Sequence, residues 1–144
     1  MGAYQLLLIL HVLSALALAA SLAGSLVVLS GARGSAEPER WLARQVGPII
    51  RLHRIAGVLV LVSALGLIHV AGIDWGAHWI SASFAAWFAY MAIADVMANA
   101  PARRRLRSER GLSPADPMRV LPYGIVQGTL LVAFTWLMIA KPGG

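Results

Sequence analysis

Arg51-Leu-His-Arg-Ile-Ala-Gly-Val-Leu-Val-Leu-Val-Ser-Ala-Leu-Gly-Leu-Ile-His69 opens with two arginines and a histidine and then stays apolar long enough to cross a bilayer. A lipid-spanning helix needs about 20 apolar residues, and in lipid its backbone groups must be satisfied within the helix itself. The stretch is therefore read as a membrane helix. It also carries two of the chain's four histidines, so any chemistry built on imidazole passes through it.

The composition agrees. Of 144 residues, 59% are hydrophobic and 12% charged, and the mean hydropathy is +0.74. Soluble domains average about 25% charged residues. One small integral membrane domain covering 1–144 is the natural class. The absence of cysteine excludes a disulfide framework, a thiolate metal site, an iron–sulfur cluster and a Cys nucleophile. The net charge of +6 comes mainly from arginines beside apolar runs, which points to a bilayer with anionic headgroups rather than to nucleic acid.

Outward from the central stretch, four spans are expected. The first covers about 4–30; its start, Met1-Gly-Ala-Tyr-Gln5, lacks the basic region of a signal peptide, so it is read as uncleaved. A loop over 31–48 follows, with a short basic segment, Glu39 to Val46, lying at headgroup level, and Gly47-Pro48 then turns or kinks the chain into the second span, about 49–73. The short link Asp74-Trp-Gly-Ala predicts an antiparallel hairpin with the third span, about 78–98. After a loop over 99–117, Asp116 as N-cap and Pro117 at the first helical position launch the fourth, about 118–140.

Orientation follows from charge. Five arginines lie from Arg33 to Arg54 and six from Arg103 to Arg119, against Lys141 alone on the other side. By the positive-inside rule both arginine-bearing loops are cytoplasmic and both termini outside. The fold class is thus an all-α, antiparallel four-transmembrane-helix bundle, N-out/C-out, multi-pass in a bacterial inner membrane. Trp75 and Trp79 near one surface, and Trp41 and Tyr123 near the other, fit interfacial belts.

Small residues mark faces that pack closely in lipid. Ser14, Ala17, Ser21, Gly24 and Ser25 form one such face on the first span, with His11 at its edge; Ala56, Gly57, Ser63 and Ala64 share a face with His53 on the second. His69, sixteen residues beyond His53, lies about 160° round the helix from it. On the third span Ser81, Ala82, Ala85, Ala89 and Ala92 align with His78, with Asp95 at the edge of the stripe. Gln127, an intramembrane polar residue sharing a face with Tyr123, Phe134 and Met138, is expected to face protein.

Depth sorts these residues into two sets. His53 and Asp95 are expected near the cytoplasmic surface with Arg51 and Arg54 close by, as a structural ion pair between the second and third helices involving His53, Arg54 and Asp95, or else a proton relay or quinone-site pair. His11 and His69 are expected at comparable depth near the outer surface, with His78 at or beyond it. His11, His69 and His78 form the candidate cofactor set, for haem b or copper, with His11 the best-placed metal ligand. Tyr90, Trp87 and Met91 are read as bulk, packed or lipid-facing. The chain has no Gly-x-Ser-x-Gly, no phosphate-cradling glycine loop and no His-Glu-x-x-His. It also lacks the repeated halves usual in secondary transporters.

Leu6-Leu-Leu-Ile-Leu-His-Val-Leu-Ser-Ala15, with its early histidine, and the basic start of the second span resemble the CopD-like superfamily, which includes copper-resistance membrane domains, HemJ-type protoporphyrinogen oxidases and other four-helix bacterial proteins. The resemblance implies an inner-membrane four-helix protein in which His11 corresponds to the family's first-span histidine, a proposed haem or metal ligand. The third-span lysine of HemJ-type proteins has no counterpart in His78-Trp-Ile-Ser-Ala-Ser-Phe84, and the tryptophan-glycine pair that follows the family's first-span histidine is absent. Two classes of function remain. The sequence favours a non-catalytic accessory or structural subunit, working with a membrane protein partner or as a homo-oligomer. The alternative is a haem b- or copper-binding redox or metal-handling protein using His11 with His69 or His78.

Overall fold

The computed structural model describes residues 2–33, 38–98 and 121–140, with side chains at 2–28, 44–45, 47–95 and 124–140. Four helices follow in order: α1 (Ala3–Arg33), α2 (Pro38–Val70), α3 (His78–Ala98) and α4 (Leu121–Ala140). The arginine-rich segment from Arg103, the Asp116-Pro117 helix start, Lys141 and the side chains of Trp41 and Tyr123 lie outside the described residues.

Helix covers much of the 31–48 segment expected to be a loop. α1 continues to Arg33, and α2 starts at Pro38 and runs through Gly47-Pro48 without a break. Pro48 removes one backbone donor, so the helix loses one hydrogen bond there. That loss falls within a 33-residue helix whose other turns propagate on both sides, and a local defect of this kind does not stop it.

α2 ends at Val70, three residues before the expected limit, because Gly72 adopts a left-handed φ of 64°. Gly72 N–H donates to the His69 carbonyl at 3.3 Å and Ile73 N–H to the Ile68 carbonyl at 3.1 Å, the paired bonds of a Schellman cap. Ile73 packs against Ile68, Trp79 and Ile80, the apolar contact that accompanies such a cap. The Asp74 carboxylate then accepts from Gly76 N–H at 2.9 Å, and α3 begins at His78.

Packing divides the bundle into two closely apposed pairs, α1 along α2 and α3 along α4, while α2 and α3 approach each other sparsely. One core joins all four: Leu18 from α1, Ala56 and Val60 from α2, Trp87 and Tyr90 from α3, and Phe134 from α4. The outer surface is apolar, with Leu13, Val27, Ile55, Phe88, Val132 and Ile139 among the large side chains exposed. Contiguous exposed apolar area on this scale suits lipid contact. Among the residues with described side chains, Ala3–Val28 and Gly47–Val70 are each long and apolar enough to cross a membrane, and the described part of α4, Gly124–Ala140, is apolar as well.

α3 presents the opposite face from the one its small residues predicted. Ser81, Ala82, Ala85, Ala89 and Ala92 are exposed together with His78, while Trp79, Ile80, Ser83, Trp87 and Tyr90 are buried. Trp79, expected in an interfacial belt, belongs to the interior; Trp75 in the turn is exposed. The cause is volume complementarity. α2 already turns small residues inward, and a Cβ added at Gly57 would meet the end of Met91 at 2.7 Å, so bulk from α3 fills the space that α2 leaves open.

Candidate functional site: a polar centre at His53

His53 sits where all four helices converge, 7% exposed, on the face of α2 that carries Ala56, Gly57, Val60, Ser63 and Ala64. Its Nδ1 lies 2.8 Å from Ser21 Oγ on α1. The Ser21 hydroxyl donates to the Leu18 carbonyl at 2.7 Å, so its oxygen is left to accept, and the imidazole proton belongs on Nδ1. His53 Nε2 is then an acceptor, and Gln127 Nε2 on α4 approaches it at 3.5 Å, the outer limit of a hydrogen bond. The resulting donor chain runs from Gln127 through His53 and Ser21 to the Leu18 carbonyl, crossing α4, α2 and α1.

α3 completes the centre with an aromatic ring. Tyr90, fully buried, stacks on the His53 imidazole with centroids 5.3 Å apart and planes at 21°, and Phe134 of α4 meets Tyr90 edge-on at 6.0 Å. The Tyr90 hydroxyl and Trp87 Nε1 are buried with no hydrogen-bond partner among the described residues.

Asp95 is placed apart from this centre. Its carboxylate accepts from Arg54 Nη2 at 3.1 Å, and the two side chains are 60% and 57% exposed. Of the group His53, Arg54 and Asp95 expected to link the second and third helices, Arg54 and Asp95 pair while His53 makes no hydrogen bond to Asp95, because His53 and Arg54, adjacent in sequence, lie about 100° apart on the helix. One of them faces the core and the other its rim.

His11 occupies the α1–α2 interface, half-buried. Its Nδ1 lies 3.0 Å from Ser63 Oγ and 3.2 Å from the Val60 carbonyl. Since Ser63 donates its hydroxyl to the Leu59 carbonyl at 2.6 Å, the His11 proton also resides on Nδ1, and Nε2 makes no hydrogen bond among the described residues. His69 and His78 are both exposed. His69 lies six residues beyond Ser63, the level of His11, so the two histidines are offset by about 9 Å along the axis and not at matching depth. Among the described residues no three His, Cys, Asp or Glu side chains gather closely enough to hold a metal ion. The structure thus brings Ser21, His53, Tyr90 and Gln127 together and leaves His11, His69 and His78 apart.

Sequence reasoning placed Ser21 and His53 on their packing faces but did not pair them. The signal was present as an equal spacing. Ten residues separate His11 from Ser21 on α1 and ten separate His53 from Ser63 on α2, so one antiparallel register matches His11 with Ser63 and Ser21 with His53. Tyr90 carried no such signal, because its partner is an aromatic face rather than a hydrogen-bonding atom.

Both imidazole nitrogens of His53 have protein neighbours, the Ser21 hydroxyl beside it is already committed to the Leu18 carbonyl, and no carboxylate among the described residues is hydrogen-bonded to the ring. A comparison with protein families matches residues 5–142 to the family described as "Predicted integral membrane protein (DUF2269)". No curated protein and no solved structure gives a significant match.

Proposed function

Because the chain belongs to this family of integral membrane proteins, we propose that it is a four-span protein of the bacterial inner membrane, with both termini outside, acting without catalysis as an accessory or structural subunit. The observation that carries the proposal is the engagement of His53 by Ser21 and Gln127 in the interior of the bundle. Polar side chains at such depth act as glue between helices when each finds a partner. The apolar outer surface, exposed along α1 and α4, supports both lipid contact and docking against another membrane protein or a second copy.

A second reading, haem b or copper bound at His11, is favoured by one observation. Nδ1 of His11 donates within the protein and Nε2 is left unbonded, the arrangement of a ligating imidazole whose other nitrogen is oriented by a carbonyl. The CopD-like resemblance around His11 points the same way. The residues do not fit a bis-histidine site within one chain, since His69 and His78 are exposed and His69 is offset in depth.

Purification from native membranes in mild detergent separates the two. The accessory reading expects a co-purifying membrane protein or a defined homo-oligomer by native mass spectrometry, with no Soret or alpha bands in the reduced-minus-oxidised spectrum and no stoichiometric copper. A Soret band or copper that disappears in His11→Ala would overturn it in favour of the second reading.

A further inference from the structure

The unbroken course of α2 through Gly47-Pro48 creates a feature that a turn there would have destroyed. Arg44, Gly47 and Arg51 lie on successive turns of one helix face: Arg44 and Arg51 are about 20° apart around the axis, and Gly47 is one turn, about 5 Å, from each. All three are exposed. Arg51 is about 180° round the helix from Val60, so the row points away from the core. Among the described residues a Cβ built on Gly47 meets nothing within 4 Å, which makes the middle turn an open notch between two guanidinium groups. Neither Arg44 nor Arg51 has an acidic partner among the described residues, whereas the next arginine on this side, Arg54, is held by Asp95.

The notch stands at a defined depth. Counted back from the end of α2 at Val70, a hydrocarbon core of roughly 30 Å takes about 20 residues and reaches about as far as Arg51. Gly47, one turn further out, therefore stands at the level of the headgroup phosphates, and an arginine facing outward beside it extends its charge to that level. We propose that Arg44, Gly47 and Arg51 form a site for the phosphate of an anionic phospholipid, with Gly47 admitting the headgroup against the helix and the two arginines closing on it from either side. Planar guanidinium groups suit phosphate oxygens bidentately. The proposal requires α2 to be a membrane span and is independent of whether the protein is an accessory subunit or binds a cofactor.

The full-length protein in neutral detergent is titrated with phosphatidylglycerol and with phosphatidylcholine of identical acyl chains, bound lipid being counted by native mass spectrometry. Phosphatidylglycerol is expected to bind preferentially and to be lost as salt is raised. Arg44→Gln and Arg51→Gln should each weaken it about fivefold. Gly47→Leu, which keeps both charges and places its side chain in open space, should abolish the preference while far-UV circular dichroism stays unchanged. Equal binding of the two lipids, or a preference untouched by Gly47→Leu, overturns the proposal. Displacement of the bound lipid by millimolar inorganic phosphate would also overturn it, by assigning the site to a free anion.

Discussion

Replacing Ser21 with alanine isolates the bond between α1 and His53. The side chain is 1% exposed and its oxygen receives the His53 Nδ1 proton at 2.8 Å. Loss of its own bond to the Leu18 carbonyl matters little, since that carbonyl belongs to the α1 ladder. The cost is that of an imidazole N–H left buried without an acceptor, about 1–3 kcal/mol in general. Interhelical hydrogen bonds in membranes measure lower, on average about 0.6 and at most about 1.7 kcal/mol. The short distance and near-complete burial argue for the upper part of that range, so Ser21→Ala should cost about 1–1.5 kcal/mol. Gln127→Leu, breaking a contact of 3.5 Å, should cost less, under about 0.5 kcal/mol for the polar part. His53→Phe removes both bonds and keeps a ring against Tyr90, so Ser21→Ala added to His53→Phe should be nearly neutral. Reversible unfolding in mixed detergent micelles, followed by tryptophan fluorescence, gives the double-mutant cycle. A Ser21–His53 coupling near zero, or a larger loss from Gln127→Leu than from Ser21→Ala, would refute the reasoning.

Four further outcomes follow from the packing and are read by the same unfolding measurement. Tyr90→Phe removes a buried hydroxyl that has no partner among the described residues and keeps the ring stacked, so it should be neutral or stabilising, by up to about 1 kcal/mol. Asp95→Asn breaks an ion pair that is more than half exposed, so stability and folded yield should change by less than about 1 kcal/mol and by less than a factor of two respectively. Ala85→Leu, on the exposed face of α3, should stay within about 0.5 kcal/mol of the parent. Ala56→Leu, buried on α2, should cost about 1–3 kcal/mol through overpacking.

The membrane character of the chain was legible because it rests on long-range composition: α1 and α2 each carry an apolar run long enough to cross a membrane, and the family match agrees. The inward faces of α1 and α2 were legible for a related reason. Both helices bury small and polar residues together, so the stripe from Ser14 to Ser25 and the stripe from His53 to Ala64 each carry two signals that agree. On α3 the two signals part. Its alanines are small but its Met91 fills the space opposite Gly57, and face assignment by small residues assumes that both partners approach closely, which holds for α1 with α2 and fails for α2 with α3. At Gly47-Pro48 the sequence left a turn and a kink both open, because local propensity favours a break wherever Gly and Pro adjoin, whereas a long helix tolerates one missing bond. Within the candidate site, Gln127 was identified by polarity at depth. Its partner was not, since the side chain that meets His53 from α4 depends on how two helix pairs dock, and no spacing within one helix encodes that.

The central claim is that His53 binds inward, to α1 and against α3, and not toward Asp95. Selective 15N-histidine labelling in detergent micelles tests it directly: the ring proton of His53 should be detected on Nδ1, with through-space contacts to the Tyr90 ring. A proton fixed on Nε2, or the absence of any Tyr90 contact, would contradict the account.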